Sequence, residues 1–293
     1  WMRDKRGALE TVRDFVLDIA ARAVIGLARL LPYRWRVPFT GWVFAWIVAP
    51  LTGFRGRIRE NLALVLPDLP REDVRRLQRA VPDNFGRTMI EMYSGKDFID
   101  RLRDQPLTGP GAAALEEAYR AGRPVVFASG HFGNYDAARA ALIARGYRIG
   151  ALYRPMSNRR FNEHYVRAMK TIGTPVFPRG RRGMGEMVKF LRGGGMLGIM
   201  LDQHMGQGAK LTFFGQPAYT ATSAADLALK YDARRVPIYS VRRNNGLDFD
   251  LLANEPIPHT DPLTMTQAIN DDLERQVRAH MEQWFWIHRR WKG

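Results

Sequence analysis

From about residue 106 onward, short apolar runs alternate with helix-length segments, and this alternation limits the fold more than any other feature. The runs at 124–128, 148–153, 175–177, 196–201 and 236–241 have the length of buried strands rather than helices. Helical patterns at 136–145, 159–172, 185–192 and 222–231 separate them, with 112–120 ahead of the first strand. A further strand at 248–252 and a long helix at 264–286 close the chain. Parallel neighbours need long crossovers, and helices supply them while covering both faces of the sheet. The expected class is therefore α/β, a mostly parallel sheet flanked by helices.

Residues 1–105 have a different pattern. Two apolar segments at 15–31 and 37–54 precede helices at 55–65 and 70–94, and the Pro/Gly-containing loop 104–111 marks a boundary. Glu10, Asp14, Asp18, Arg22 and Arg29 fall on one helical stripe, with Asp18 and Arg22 placed as an i,i+4 pair. The second segment is uncharged but holds Pro38, Gly41, Pro50 and Gly53, with Trp42 and Trp46 suited to an interface. Such segments suit either core packing or an amphipathic or re-entrant membrane anchor, and the anchor is the favoured reading. The division is thus a helical membrane-anchoring segment at 1–105 and an α/β domain at 106–293. A net charge of +16 predicts attraction to polyanions. The absence of cysteine excludes disulfides, thiol catalysis and cysteine-ligated metals.

The sequence Gly130-His131-Phe132-Gly133-Asn134-Tyr135-Asp136 lies where the first predicted strand of the α/β domain passes into a helix. His131 is a candidate general base there, and Asp136 a candidate to fix its tautomer and stabilise the imidazolium. This spacing recurs by chance in a chain with 6 histidines and 29 acidic residues, so context must carry the assignment. Gly130 and Gly133 permit a tight turn, and Asn134 reads as the helix N-cap. Backbone N–H groups near Gly133, or the Arg154 side chain, are expected to face a developing oxyanion. These roles point to acyl transfer onto an alcohol.

Ligands of open parallel sheets bind beyond the carboxyl ends of the strands, and three more loops fall there. The first holds Arg154, whose fork suits a phosphate or an oxyanion, together with Asn158. The second, 179–183, is either a solvated charge run or an anion clamp around Arg181. The third begins with Asp202 and Gln203. His204 beside them has no further ligand at useful spacing, so neither a metal nor a cofactor is expected. Phe213-Phe214-Gly215 either lines an acyl channel or fills the core. The C-terminal run 283–292 interleaves aromatic and basic residues, which suits stacking on nucleic acid or a seat at a membrane interface. No helix-turn-helix, RNP motif or zinc-finger spacing supports nucleic acid, which is not expected as a partner.

Taken in order, these elements resemble the late acyltransferases of lipid A biosynthesis, the lauroyl/myristoyl transferases within the lysophospholipid acyltransferase superfamily. The resemblance runs through Arg59-Glu60-Asn61-Leu62-Ala63-Leu64, residues 85–91, HFGNYD at 131–136, YRPMSN at 153–158 and LDQ at 201–203. It ends with FFG-x-P-A at 213–218 and W-x-H-R-R-W at 286–291. The H-x-x-x-x-D/E core belongs to the wider superfamily, and the last elements narrow it. The resemblance implies an enzyme on the cytoplasmic face of the inner membrane, serving lipopolysaccharide biosynthesis. Its donor would be an acyl carrier protein thioester and its acceptor a phosphorylated glycolipid of the lipid A precursor type, on an anionic membrane. It further implies that His131 is the base, Asp136 its partner, Arg154 a contact near the transferring acyl group, and Asp202 a residue shaping the site. Asn134, Asn158, Arg181, Gln203, Phe214 and Gly215 complete the expected substrate-binding set. Asp136 stands where many lipid A members carry Glu, which leaves open a sister branch, the phosphatidylinositol mannoside acyltransferases, with acyl-CoA as donor.

Overall fold

The computed structural model describes residues 8–292. It begins with helix α1 (Ala8–Leu30), then α2 (Tyr33–Val43), which continues through a π-helical turn (Phe44–Val48) into α3 (Ala49–Leu51). Next come α4 (Phe54–Val65), α5 (Arg71–Met92), α6 (Lys96–Leu102), β1 (Leu107–Thr108) and α7 (Gly111–Arg120). The central part alternates β2 (Val125–Ser129), α8 (Ala137–Ala144), β3 (Ile149–Tyr153), α9 (Arg159–Ile172), β4 (Val176–Pro178), α10 (Arg181–Arg192) and β5 (Met196–Met200). A hairpin of β6 (Ala209–Phe213) and β7 (Gln216–Thr220) precedes α11 (Ser223–Lys230), β8 (Arg234–Arg242), β9 (Phe249–Ala253) and α12 (Pro262–Ala279).

Seven strands form one sheet in the order β1-β9-β8-β2-β5-β3-β4. The five from β8 to β4 are parallel; β9 pairs antiparallel with β8, and β1 runs parallel to β9. The mostly parallel α/β expectation therefore holds. Every residue of β2 is buried because apolar side chains point both ways. Val125 and Phe127 pack with α8 and α9 on one face, while Val126 and Ala128 pack with α10, α11 and α12 on the other. The crossover after β2 uses the first face and that after β5 the second. These adjacent strands thus send their chains apart, opening a crevice at their carboxyl ends.

The helices before the sheet are not all peripheral. Ile58, Leu62, Leu77 and Val81 from α4 and α5 share a core with Phe132, Trp284 and Trp286. The Asp18–Arg22 pair forms at 2.8 Å; the side chains of Glu10 and Asp14 lie outside what the structure describes. Among the described residues no single helix is long and apolar enough to cross a membrane. One bent pair, 33–51 with Phe54–Val65 at 85°, has the length and composition to do so.

Two elements differ from the sequence reading. The β6–β7 hairpin turns on Phe214 and Gly215, both with positive φ (53° and 70°), the signature of a two-residue turn that matches strand twist. Asn-Gly or Asp-Gly announces such a turn, and Phe-Gly does not. The last helix stops at Ala279 instead of running to 286, because His280 leaves helical geometry (φ −142°, ψ 63°). From there the chain folds back as an irregular strap across the sheet's carboxyl edge.

A buried ion pair ties α5 to the sheet and to the turn after β2. Arg242 meets Glu91 in a bidentate pair at 2.5 and 2.8 Å. Asn134 donates to the same carboxylate at 2.8 Å, and Thr88 donates to the Gly133 carbonyl at 2.9 Å. Glu91 is wholly buried. Glu91→Ala should cost about 3–5 kcal/mol, because it leaves the Arg242 guanidinium buried without its counter-charge. Denaturant unfolding of the two proteins measures this; a difference below ~1 kcal/mol would show that the pair does not hold the turn in place.

Candidate active site

The turn between β2 and α8 presents His131 at the crevice. It needs glycine at 133, where φ is +55° and a Cβ would fall 1.8 Å from the Ser240 carbonyl oxygen. The His131 side chain is 23% exposed and lines a cavity of about 750 Å³. The cavity also takes in Ser129, Tyr135, Asp136, Arg154, Arg179 and Gln203, then continues over an apolar stretch beneath α8 and α9.

The carboxylate that meets the imidazole is Asp202, at the end of β5. Its Oδ1 lies 2.8 Å from His131 Nδ1, while its Oδ2 accepts the His131 backbone N–H at 2.7 Å and Trp284 Nε1 at 2.9 Å. Three donors on one buried carboxylate fix it in place. A carboxylate bonded at Nδ1 holds the proton there and leaves Nε2 as the basic nitrogen on the cavity side. Burial opposes charge on both partners. Their mutual attraction and hydrogen bond outweigh it, holding His131 above its ordinary pKa and Asp202 well below its own.

This corrects the expected role of Asp136. Helix α8 starts at Ala137, so Asp136 lies at its cap position and pairs with Arg139 one turn on, at 2.6 Å. Arg139 in turn donates to the carbonyls of Met169 and Gly173, and Asp136 becomes part of the channel wall rather than the imidazole's partner. The oxyanion expectation also narrows. The N–H of Gly133 is bonded to the Gln283 carbonyl at 2.8 Å, and that of Phe132 to the Gly130 carbonyl at 2.8 Å. Arg154 remains, on the cavity wall.

Of the other expected residues, Gln203 lines the cavity. Asn134 does not cap α8. It is fully buried, donating to Glu91 and accepting from the Asp136 N–H at 3.0 Å. Asn158 caps α9, accepting from the N–H groups of Arg160 and Phe161. Arg181 is exposed at the start of α10 beside the cavity-lining Arg179 and Gly180. Phe214 and Gly215 form the hairpin turn, with Phe214 packed edge-on against Trp286 at 5.5 Å. Phe214 fills the core, Gly215 is exposed at the tip, and neither lines the channel.

The C-terminal strap supplies what the sequence reading missed. Trp284 and Trp286 are wholly buried, so neither the nucleic-acid nor the membrane-interface reading applies to them. Phe285 donates its N–H to the His131 carbonyl at 3.0 Å, and Phe132 and Trp284 pair as an isolated bridge. His288 stands edge-on to His131 with ring centroids 5.1 Å apart, and its Nε2 lies 3.1 Å from the Gln203 amide nitrogen. Burial, then the neighbouring His131, depress His288 to about 4, so it stays neutral beside the dyad. The aromatic and basic run 283–292 is the visible signal; nothing in its spacing names Asp202 and His131 as its targets.

A His–Asp dyad with a buried carboxylate and a cavity-facing imidazole, at the head of a long, largely apolar channel, is suited to deprotonating a hydroxyl next to an aliphatic chain. The family model of the bacterial lipid A biosynthesis acyltransferases matches residues 8–293, and the chain belongs to that family. It is similar to the phosphatidylinositol mannoside acyltransferase of Mycobacterium tuberculosis, in both strain CDC 1551 / Oshkosh and strain ATCC 25618 / H37Rv. Identity to each is 24% over 241 residues, covering 80% of this chain and 76% of the relative. The protein is thus an acyltransferase of the lipid-modifying type.

Asp202→Asn should lower the turnover rate by about 10²–10⁴-fold. It should also move the acid limb of the pH–rate profile downward. The base works when neutral, and removing the carboxylate's charge removes what raises its pKa. A pH–rate profile of both proteins checks this; an unmoved acid limb would contradict the dyad.

Proposed function

We propose that this protein transfers a fatty acyl group from an acyl carrier protein thioester to a hydroxyl of a phosphorylated glycolipid of the lipid A precursor type. The observation carrying the reading is the His131–Asp202 dyad set at the head of the apolar channel. His131 Nε2 takes the proton of the acceptor hydroxyl, and that oxygen attacks the thioester carbonyl carbon. Arg154, on the wall of the same cavity, supplies the positive charge that stabilises the tetrahedral oxyanion. Its collapse breaks the carbon–sulfur bond, and the imidazolium returns the proton to the departing thiolate. No acyl-enzyme is needed, because the attacking oxygen belongs to the acceptor. Asp202 holds Nδ1 throughout and stabilises the imidazolium.

The reading includes a seat on the cytoplasmic face of an anionic inner membrane. Eleven of the fourteen exposed large apolar side chains among the described residues fall between Phe15 and Leu51. They are bordered by arginines, with Arg34 over Trp35 at 5.2 Å and Arg79 over Trp46 at 5.0 Å. Apolar rings flanked by guanidinium groups suit the boundary between acyl chains and phosphates. The +16 charge favours both such a surface and an acidic carrier.

The similarity to phosphatidylinositol mannoside acyltransferases supports a second reading, with acyl-CoA as donor and a mannosylated phospholipid as acceptor. A transfer assay with both donors and both acceptors separates the two. His131→Ala should lose about 10²–10⁴-fold with whichever pair is used; retained turnover would contradict the base. Replacing Trp42, Trp46 and Leu51 together by serine should weaken binding to anionic vesicles about tenfold or more. Unchanged flotation with such vesicles would remove this face from the membrane contact.

A further inference from the structure

The channel floor is the sheet face under α8 and α9, and its side chains fall in rows set by strand register. Ser129 and Met200 form the outermost row, level with His131's turn. Two residues deeper, Ala151, Gly198 and Phe127 align across β3, β5 and β2. Ile149 lines the cavity two residues deeper again, while its row-mate Met196 does not. Rows two residues apart lie about 6–7 Å apart along a strand, so the floor runs roughly 13 Å inward. Leu142 of α8 and Met169 of α9 lie on the opposite wall.

Gly198 is unexpected on that floor. A glycine inside a central strand weakens it, because the residue loses more entropy on folding and packs nothing. Its backbone does not call for glycine, since it is absent from the positive-φ residues. Nor does a close neighbour: the nearest heavy atom to a built Cβ is the Gly150 carbonyl oxygen, at an ordinary 3.8 Å. By contrast, a Cβ at Gly150, on the other face, would fall 2.7 Å from the Phe177 ring. What a side chain at 198 would enter is the channel itself, which Gly198 lines beside Ala151. The two smallest floor residues thus sit side by side halfway along it, making a straight trough.

We propose that Gly198 sets the length of acyl chain this enzyme accepts, by leaving open the trough through which a straight saturated chain passes to Ile149. This rests on the acyl-transfer reading and adds the position that limits the chain. A branched side chain at 198 stops the chain at the middle row, so the methylenes beyond it lose their burial, each of which contributes to binding. Shorter chains place fewer methylenes beyond that row and are less affected.

The test uses the full chain with Gly198→Ala, Gly198→Val and Gly198→Leu, and with Ala151→Val reaching the same trough from β3. Lauroyl, myristoyl and palmitoyl thioesters compete for one acceptor, and free laurate and palmitate separately displace a fluorescent fatty acid. The ratio of the longest chain the wild type uses to lauroyl should fall about tenfold or more in Gly198→Leu. Gly198→Ala and Ala151→Val should fall between it and the wild type, and palmitate displacement should weaken in the same order. Should Gly198→Leu not fold, the Ala and Val variants give the same ordering. Variants that fold but keep the wild-type ratio and displacement order overturn the proposal. A wild type that transfers from no thioester, while palmitate displacement still follows residue 198, would count against the acyl-transfer reading and support the role of the trough.

Discussion

The carboxylate of Asp202 joins three parts of the chain that are distant in sequence. It stands at the end of β5, accepts two donors from His131 at the end of β2, and accepts the Trp284 indole from the C-terminal strap. A buried carboxylate is costly unless its oxygens are hydrogen-bonded, and three donors meet that demand. The same bonds fix the imidazole's rotation and tautomer. The requirement that keeps this charge in the fold therefore also prepares the base for chemistry, and the site is built before any substrate arrives.

The strap and α5 hold that arrangement from behind. Asn61 donates to the carbonyls of Trp286 and His288, both at 2.7 Å, anchoring the strap to α4. Arg290, wholly buried, reaches the Tyr219 carbonyl and the Thr220 hydroxyl, anchoring it to the hairpin. On the other side, Glu91 and Arg242 lock the turn through Asn134 and Gly133. These are the residue clusters at 59–64, 85–91 and 286–291 on which the family resemblance rested. Most serve the dyad by supporting its turn and do not touch the channel.

Much of this was legible in the chain. Apolar runs alternating with helical segments show the parallel strands nearly in place, because the central ones are buried on both faces and read as uninterrupted hydrophobicity. Helix α9 matched its expected bounds, since Asn158 is a strong cap; that same residue was assigned to substrate because loop position cannot separate the two uses. The place of His131 at a strand end, facing the crevice, is readable in the chain. Spacing points to Asp136 as its partner because five residues is a short distance in sequence, whereas the carboxylate that meets the ring arrives from the neighbouring strand, 71 positions away. The strap's aromatics were read as surface groups because they alternate with arginines; here Arg290 is buried too, its charge met by carbonyl and hydroxyl oxygens. Long-range pairing of this kind leaves no periodic trace.

The most direct test is the protonation state of the His131 ring, read by ¹⁵N NMR through a pH titration. The account predicts that the neutral ring carries its proton on Nδ1, with Nε2 bare, and that it titrates above the ordinary histidine value. A neutral ring protonated on Nε2, or titration below that value, would contradict the dyad and the acyl transfer built on it.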